Sequence, residues 1–334
     1  MNTSLQTLLY GFDVAGVDGS ASKILFMNGE YVDGLEGVDE FQQYFKPYID
    51  VLETQNHVAS ADIQGEGYDI VLYLLPKNMV EARYGLARAI SVVQKGGMIF
   101  CAADNKAGGT RLKKLFEEFD IGIEGHESRN KARVVWGHVD APKADVVAEA
   151  LSAGQQKPIL NDRYVSQAGV FGWDKIDKGS EILTRHIPKN LKGKGADFGC
   201  GYGYLSDFTL SHCRKVKRLT CLDADYRAVE ACRQNLGQYE VDLSFVWADL
   251  TRVQTDLRNL DFIVMNPPFH EGKKQDLGIG HDFIRSAYQS LKRGGALYIV
   301  ANAHLSYETL LYELFFDVDK LHEGQGFKAF KAVR

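Results

Sequence analysis

The chain has 334 residues, 45% of them hydrophobic and 25% charged, which describes a soluble globular protein long enough for more than one core. A net charge of −5 argues against indiscriminate nucleic-acid binding, and apolar runs such as Ile70 to Leu75 are far too short to span a bilayer. The five cysteines form no C-x-x-C pair and Met1-Asn-Thr-Ser-Leu5 opens no signal-like stretch, so reduced thiols, no zinc or other metal site and a cytoplasmic protein are expected.

In chain order, the first strand expected is Lys23-Ile-Leu-Phe-Met-Asn-Gly29, which leads into no glycine-rich loop. Asp69-Ile-Val-Leu-Tyr-Leu-Leu-Pro-Lys-Asn78 reads as a buried strand stopped by a proline. An amphipathic helix from Val80 to Val93 follows, then the strand within Lys95-Gly-Gly-Met-Ile-Phe-Cys-Ala-Ala-Asp-Asn105, another helix and an end strand near 132–136. The stretch from Asp140-Ala-Pro-Lys to Gln155-Gln-Lys-Pro158 reads as a connector. The organisation expected is therefore a domain over 1–140, a linker over 141–164 and a second domain over 165–334.

The second half carries the chemistry. Ala196-Asp-Phe-Gly-Cys-Gly-Tyr-Gly-Tyr-Leu205 is a short strand breaking at Gly199, Gly201 and Gly203, a spacing that lets a ligand lie against bare backbone. Tyr204 stands where a dinucleotide loop places a small residue, and no phosphate loop is present. Asp197 repels phosphate but attracts an ammonium group, which favours S-adenosylmethionine over NAD. Asp223 ends the strand Arg218-Leu-Thr-Cys-Leu-Asp223, where a carboxylate accepts from ribose hydroxyls. Asp225 is expected to cap the helix beginning near Tyr226. Asp249, after Leu243-Ser-Phe-Val-Trp-Ala, is placed for the adenine amino group, with Leu250 beside the ring. Alone, each acid reads as a solvated loop residue; their order at successive strand ends gives them weight.

Phe262 to Met265 then reads as a buried strand running into Asn266-Pro267-Pro268-Phe269-His270. Asn266 and the Pro267 carbonyl offer acceptors for a planar amine, while Phe269 and Pro268 offer a face for the ring that carries it. That apparatus suits methylation of an amino group on a nucleobase or an amide. His270 is a candidate proton shuttle or loop hydrogen-bonder, and Lys273 and Lys274 overhang the proposed site. The other basic clusters, including Lys189-Lys192-Lys194 and Arg214-Lys215-Lys217-Arg218, read as solvated faces.

The two halves repeat each other. Asp69 to Asn78 aligns with Asp261 to His270, and Lys95 to Asn105 with Arg293-Gly-Gly-Ala-Leu-Tyr-Ile-Val-Ala-Asn-Ala303. The second copy likewise has a preceding helix, Asp282 to Leu291, and an end strand near 329–333. The fold class expected is α/β, two tandem doubly wound, Rossmann-like sheets. In register Leu74 replaces Asn266, Leu75 replaces Pro267 and Lys77 replaces Phe269, so the first copy is read as a degenerate domain without cofactor.

Residues 165–334 resemble the class I S-adenosylmethionine-dependent methyltransferases of the small methyltransferase family. Within it the chain is similar to the ribosomal RNA guanine-N2 methyltransferases, especially the small-subunit methyltransferase C group. The likeness rests on Gly169-Val-Phe-Gly-Trp-Asp-Lys-Ile-Asp-Lys-Gly-Ser180, the glycine loop, Asn266-Pro-Pro-Phe-His270, Ile299-Val-Ala-Asn-Ala303, Gly326-Phe-Lys-Ala-Phe330 and, in the first half, Tyr73-Leu-Leu-Pro-Lys-Asn78. One departure is Gly172-Trp173, where that group carries a Ser-Arg-like pair. The resemblance implies methyl transfer to a guanine N2 of 16S ribosomal RNA by a soluble monomer. Large-subunit RNA, a protein glutamine, a nucleic-acid adenine N6, or a non-catalytic RNA-binding role are the alternatives.

Overall fold

The computed structural model describes residues 2–19, 22–33, 37–252, 257–268 and 275–334. The chain divides into two compact units, Met1–Gln156 and Lys157–Arg334. The first contains strands β1 (Ile24–Met27), β2 (Glu40–Gln42), β3 (Ala59–Ser60), β4 (Tyr68–Leu74), β5 (Val93–Asp104), β6 (Gly122–Arg129) and β7 (Ala132–His138). They form one sheet in the order β3-β2-β1-β4-β5-β7-β6. The pairs from β3 to β5 are parallel; β7 and β6 run antiparallel to their neighbours.

The second unit opens with a hairpin of β8 (Lys157–Ile159) and β9 (Tyr164–Ser166). Its sheet consists of β10 (Lys192–Phe198), β11 (Lys215–Asp223), β12 (Asp242–Trp247), β13 (Leu260–Met265), β14 (Leu291–Asn302), β15 (Asp317–Gly324) and β16 (Phe327–Val333). The order β12-β11-β10-β13-β14-β16-β15 repeats that of the first sheet. Parallel neighbours require crossovers, and helices laid over both faces bury the central strands twice. In β13, Phe262 and Val264 enter one core while Ile263 and Met265 enter the other. In β4 the same split separates Ile70 and Leu72 from Val71 and Tyr73. Unbroken apolar runs in both strands follow from that double burial.

Each sheet reverses its strand order beside its first strand. In the second unit β10 lies between β11 and β13, so the loops leaving β10 and β13 open a crevice at their carboxyl ends. The basic residues Lys192, Lys194, Lys215, Lys217 and Arg218 are exposed at the opposite, starting ends of β10 and β11, where Arg218 pairs with Asp242 at 2.5 Å.

Residues 141–164 contain the helix Ala144–Gly154, which belongs to the first unit, and β8 with its turn, which belongs to the second. A Cβ on Gly154 would stand 2.1 Å from Tyr84 Cβ, so the glycine lets this helix lie against the helix Met79–Val92. The hairpin is tied down by Tyr164, whose hydroxyl donates to Asp207 at 2.6 Å, and by Asn235, which bonds both backbone groups of Val165 at 2.7 and 2.8 Å. Among the described residues, no helix is long and apolar enough to cross a membrane.

Candidate active site

The glycine loop leaves β10 with φ of +76° at Gly199, +54° at Gly201 and +96° at Gly203, all in the left-handed region. Gly201 has nothing within 4 Å of where a Cβ would stand, so its backbone is open to a ligand. At Gly203 a Cβ would meet Cys232 Sγ at 3.0 Å, and the glycine allows the helix Tyr204–His212 to start there. Asp223, at the end of β11, accepts from Gly201 N at 2.8 Å and from Asp225 N at 2.9 Å. Burial pushes its carboxyl up to about 6, against the pull of those two backbone bonds. Asp225 caps the helix Tyr226–Leu236 through Arg227 N, as its position suggested.

Asp197 is fully buried and outside the cleft lining. Its carboxylate accepts from Ser206 Oγ at 2.6 Å and its Oδ1 has no partner. Burial raises its carboxyl to about 7. Asp249 Oδ1 accepts from Thr251 N and Oγ1 at 2.9 and 2.6 Å, while Leu250 packs into the core with Phe198, Leu222 and Met265. Ala248 N donates to Asp223 O at 3.0 Å, which brings the β12 loop alongside the acid.

Asn266 follows β13 directly. Its Nδ2 donates to Asp177 Oδ2 at 2.8 Å and to Ser180 Oγ at 2.9 Å, while its Oδ1 is shielded and, among the described residues, without a partner. An unmet buried acceptor costs about 1–3 kcal/mol, which an incoming N–H donor would recover. Pro267 is buried and Pro268 exposed. Phe269, His270, Lys273 and Lys274 lie outside the described residues.

Gly199, Gly201 and Asn266 meet in one open cleft, walled also by Phe171, Gly172, Asp177, Ser180, Tyr202 and Tyr204. Tyr202 donates to Lys175 O at 3.2 Å and so joins the glycine loop to the 171–177 segment. That segment was legible only as part of a family pattern. The one local signal in it is Asp177, three residues ahead of Ser180, which caps the helix Lys178–Thr184. The described lining holds the acid Asp177 and no lysine or arginine. This donor set fits a ligand with hydroxyls and a cationic centre and without phosphates, as S-adenosylmethionine is.

The first sheet keeps only a smaller cleft at the matching position, lined by Met27, Asn28, Gln42, Tyr73 and Arg88 among others. By strand register Asn28, at φ +50°, stands where Gly199 does, and its side chain donates to Leu74 O at 3.0 Å. Gln43 stands where Asp223 does; it accepts from Phe45 N at 3.0 Å and donates to Gly29 O at 3.0 Å. The turn is kept, but the carboxylate and the glycines are gone.

The sequence matches the family model of the methyltransferase small domain over residues 161–331, and that of the methyltransferase small domain N-terminal over residues 36–153. The ribosomal RNA small subunit methyltransferase C of Erwinia tasmaniensis is 32% identical, covering 80% of this chain and 76% of that relative. The protein of the same name from Enterobacter sp. is 34% identical, covering 79% and 75%. The chain belongs to the methyltransferase C family. As a methyltransferase C protein it depends on S-adenosylmethionine and has the paired Rossmann-like sheets expected of it. The T. thermophilus 16S rRNA N2 G1207 methyltransferase (RsmC), solved in complex with AdoMet and guanosine, shares this fold with a TM-score of 0.76 at 22% identity, over 93% of this chain and 88% of that one.

Proposed function

We propose that this methyltransferase C protein methylates the exocyclic N2 amine of a guanine in 16S ribosomal RNA. The observation that carries the reading is the shielded, partnerless Oδ1 of Asn266 at the end of β13, beside the glycine loop. The names of the curated relatives and the guanosine in the T. thermophilus complex support the substrate.

The N2 lone pair is delocalised into the ring, which makes the amine a weak nucleophile. Asn266 Oδ1 and the Pro267 carbonyl accept its two hydrogens, encourage pyramidalisation and hold the lone pair in line. Phe269 stacks on the base, a contact worth ~1–3 kcal/mol. A paired guanine must first leave its helix. S-adenosylmethionine, when bound, supplies a methyl group already activated on sulfur. Gly199 and Gly201 give it bare backbone, Gly203 lets the loop turn into the helix behind it, Asp223 takes the ribose hydroxyls and Asp249 the adenine amine. Asp197 acts from behind the loop, through its bond to Ser206. No strong base is needed, since the amine becomes acidic as it is methylated; positioning does most of the work. His270, Lys273 and Lys274 are assigned to the RNA side. The first domain is read as a cofactor-free RNA platform or stabilising partner, in a cytoplasmic monomer.

Mapping 16S RNA methylation in cells with and without the gene, and with Asn266→Ala, tests this. The variant should lose at least ~10²-fold in rate while its cofactor affinity stays nearly unchanged. Near-normal methylation by Asn266→Ala would overturn the reading.

A further inference from the structure

We infer that Asp177 and Ser180 are positioning residues: by holding the Asn266 amide nitrogen they fix which end of the amide is left to accept from a substrate amine. The inference rests on the reading of Asn266 as the acceptor of the substrate amine. An amide can turn end for end at almost no intrinsic cost, and only its oxygen can accept from an amine. Something must therefore decide which end faces the substrate.

The described residues around Asn266 make that decision. A carboxylate can only accept hydrogen bonds. Asp177 Oδ2, 2.8 Å from the amide nitrogen, thus requires the NH₂ end to face it. Ser180 Oγ takes the second contact of that nitrogen at 2.9 Å. With the amide reversed, its oxygen would face the carboxylate oxygen at that distance, lone pair against lone pair. Oδ1 is consequently directed away, shielded and without a partner. Asp177 is itself held, because the same Oδ2 accepts from Ser180 N at 2.8 Å as the cap of the helix Lys178–Thr184. Asp177, Ser180 and Asn266 all line the one cleft. The segment lies 89 residues from Asn266 in sequence, so the lock is a product of the fold.

The test is a double-mutant cycle on RNA methylation with the full-length protein. Asp177→Ala should lower kcat by ~10-fold or more, with little change in KM, because orientation rather than binding is lost. Asp177→Asn keeps a carbonyl acceptor and a helix cap, and should recover most of that rate. Ser180→Ala keeps the capped backbone N–H and should cost a few-fold in kcat. The double variant Asp177→Ala/Asn266→Ala should be no slower than Asn266→Ala, within about 2-fold, because Asp177 acts through the amide. Multiplying losses in the double variant, or a normal kcat in a folded Asp177→Ala, would overturn the lock while leaving the role of Asn266 standing. A normal rate in Asn266→Ala would remove both.

Discussion

Leu74 occupies in the first sheet the strand position that Asn266 holds in the second, since Tyr73 pairs with Met27 as Met265 pairs with Phe198. Leu74 is buried at 6% exposure and has no acceptor for an amine. With Asn28 and Gln43 bonded across the matching turn, the first domain has neither the acid nor the open backbone of the second. Calorimetry on the intact chain should therefore give close to one S-adenosylmethionine per protein. Lys77→Ala, at an exposed position, should leave methylation near normal. A second site, or NADH binding in place of S-adenosylmethionine, would contradict this account.

The glycines separate by what a side chain would meet. Gly201→Ala meets no atom within 4 Å, so its stability cost should be that of the left-handed backbone, about 1–2 kcal/mol. The methyl group would project where a ligand approaches, and cofactor affinity should fall. Gly203→Ala adds a 3.0 Å contact with Cys232 Sγ at φ +96°, and should destabilise more. Thermal melts with and without S-adenosylmethionine check both; equal melting temperatures for the two variants would count against the distinction.

Much of the site was legible because it is local. The breaks at Gly199, Gly201 and Gly203, the acid ending β11, the cap at Asp225 and the strand running into Asn266 each follow from a few consecutive residues. The lock on Asn266 was not legible, because Asp177 and Ser180 come from a distant segment and only the fold adds them. Nor was the burial of Asp197: a strand acid before a glycine loop reads as ligand-facing, but the packing of Ser206 and Cys221 places it in the interior. β6 escaped for a different reason. Its residues are largely exposed, so it lacks the apolar alternation that marks a strand. The segment 141–164 looked like a connector because Pro142 and Pro158 bracket it, although it holds a helix and a hairpin strand.

Two acids give the protein a pH signature. Asp197 titrates at about 7 and Asp223 at about 6, both raised by burial from 3.8. The folded protein thus holds more protons than the unfolded chain between about pH 4 and 7. Their stabilising contribution is full below about pH 4 and is lost as pH rises through those values. Asp197→Asn should flatten this part of the stability curve in denaturant titrations between pH 5 and 8. Asp223 should also set cofactor affinity: protonation removes an acceptor, so affinity should weaken as pH falls through about 6. Asp223→Asn should bind weakly at every pH and lose that dependence. An unchanged pH profile in Asp223→Asn would show that another group is responsible.

The boundary between the units makes the platform idea testable. A fragment beginning at Lys157 keeps a complete sheet with a core on each face, together with the β8–β9 hairpin. It should fold, bind S-adenosylmethionine and methylate RNA poorly. A fragment beginning at Val165 loses β8 and Tyr164, and with Tyr164 the 2.6 Å bond to the buried carboxylate of Asp207. Hydrogen bonds to charged groups are worth about 1.5–3 kcal/mol, so the shorter fragment should melt well below the longer one. The comparison separates stability from RNA handling. If the Lys157 fragment is stable and binds cofactor yet turns over RNA slowly, the first domain contributes to the substrate. If it is unstable, the first domain supports the fold. If it matches the full chain in both respects, the first domain is neither platform nor support, and its retained sheet must serve some other end.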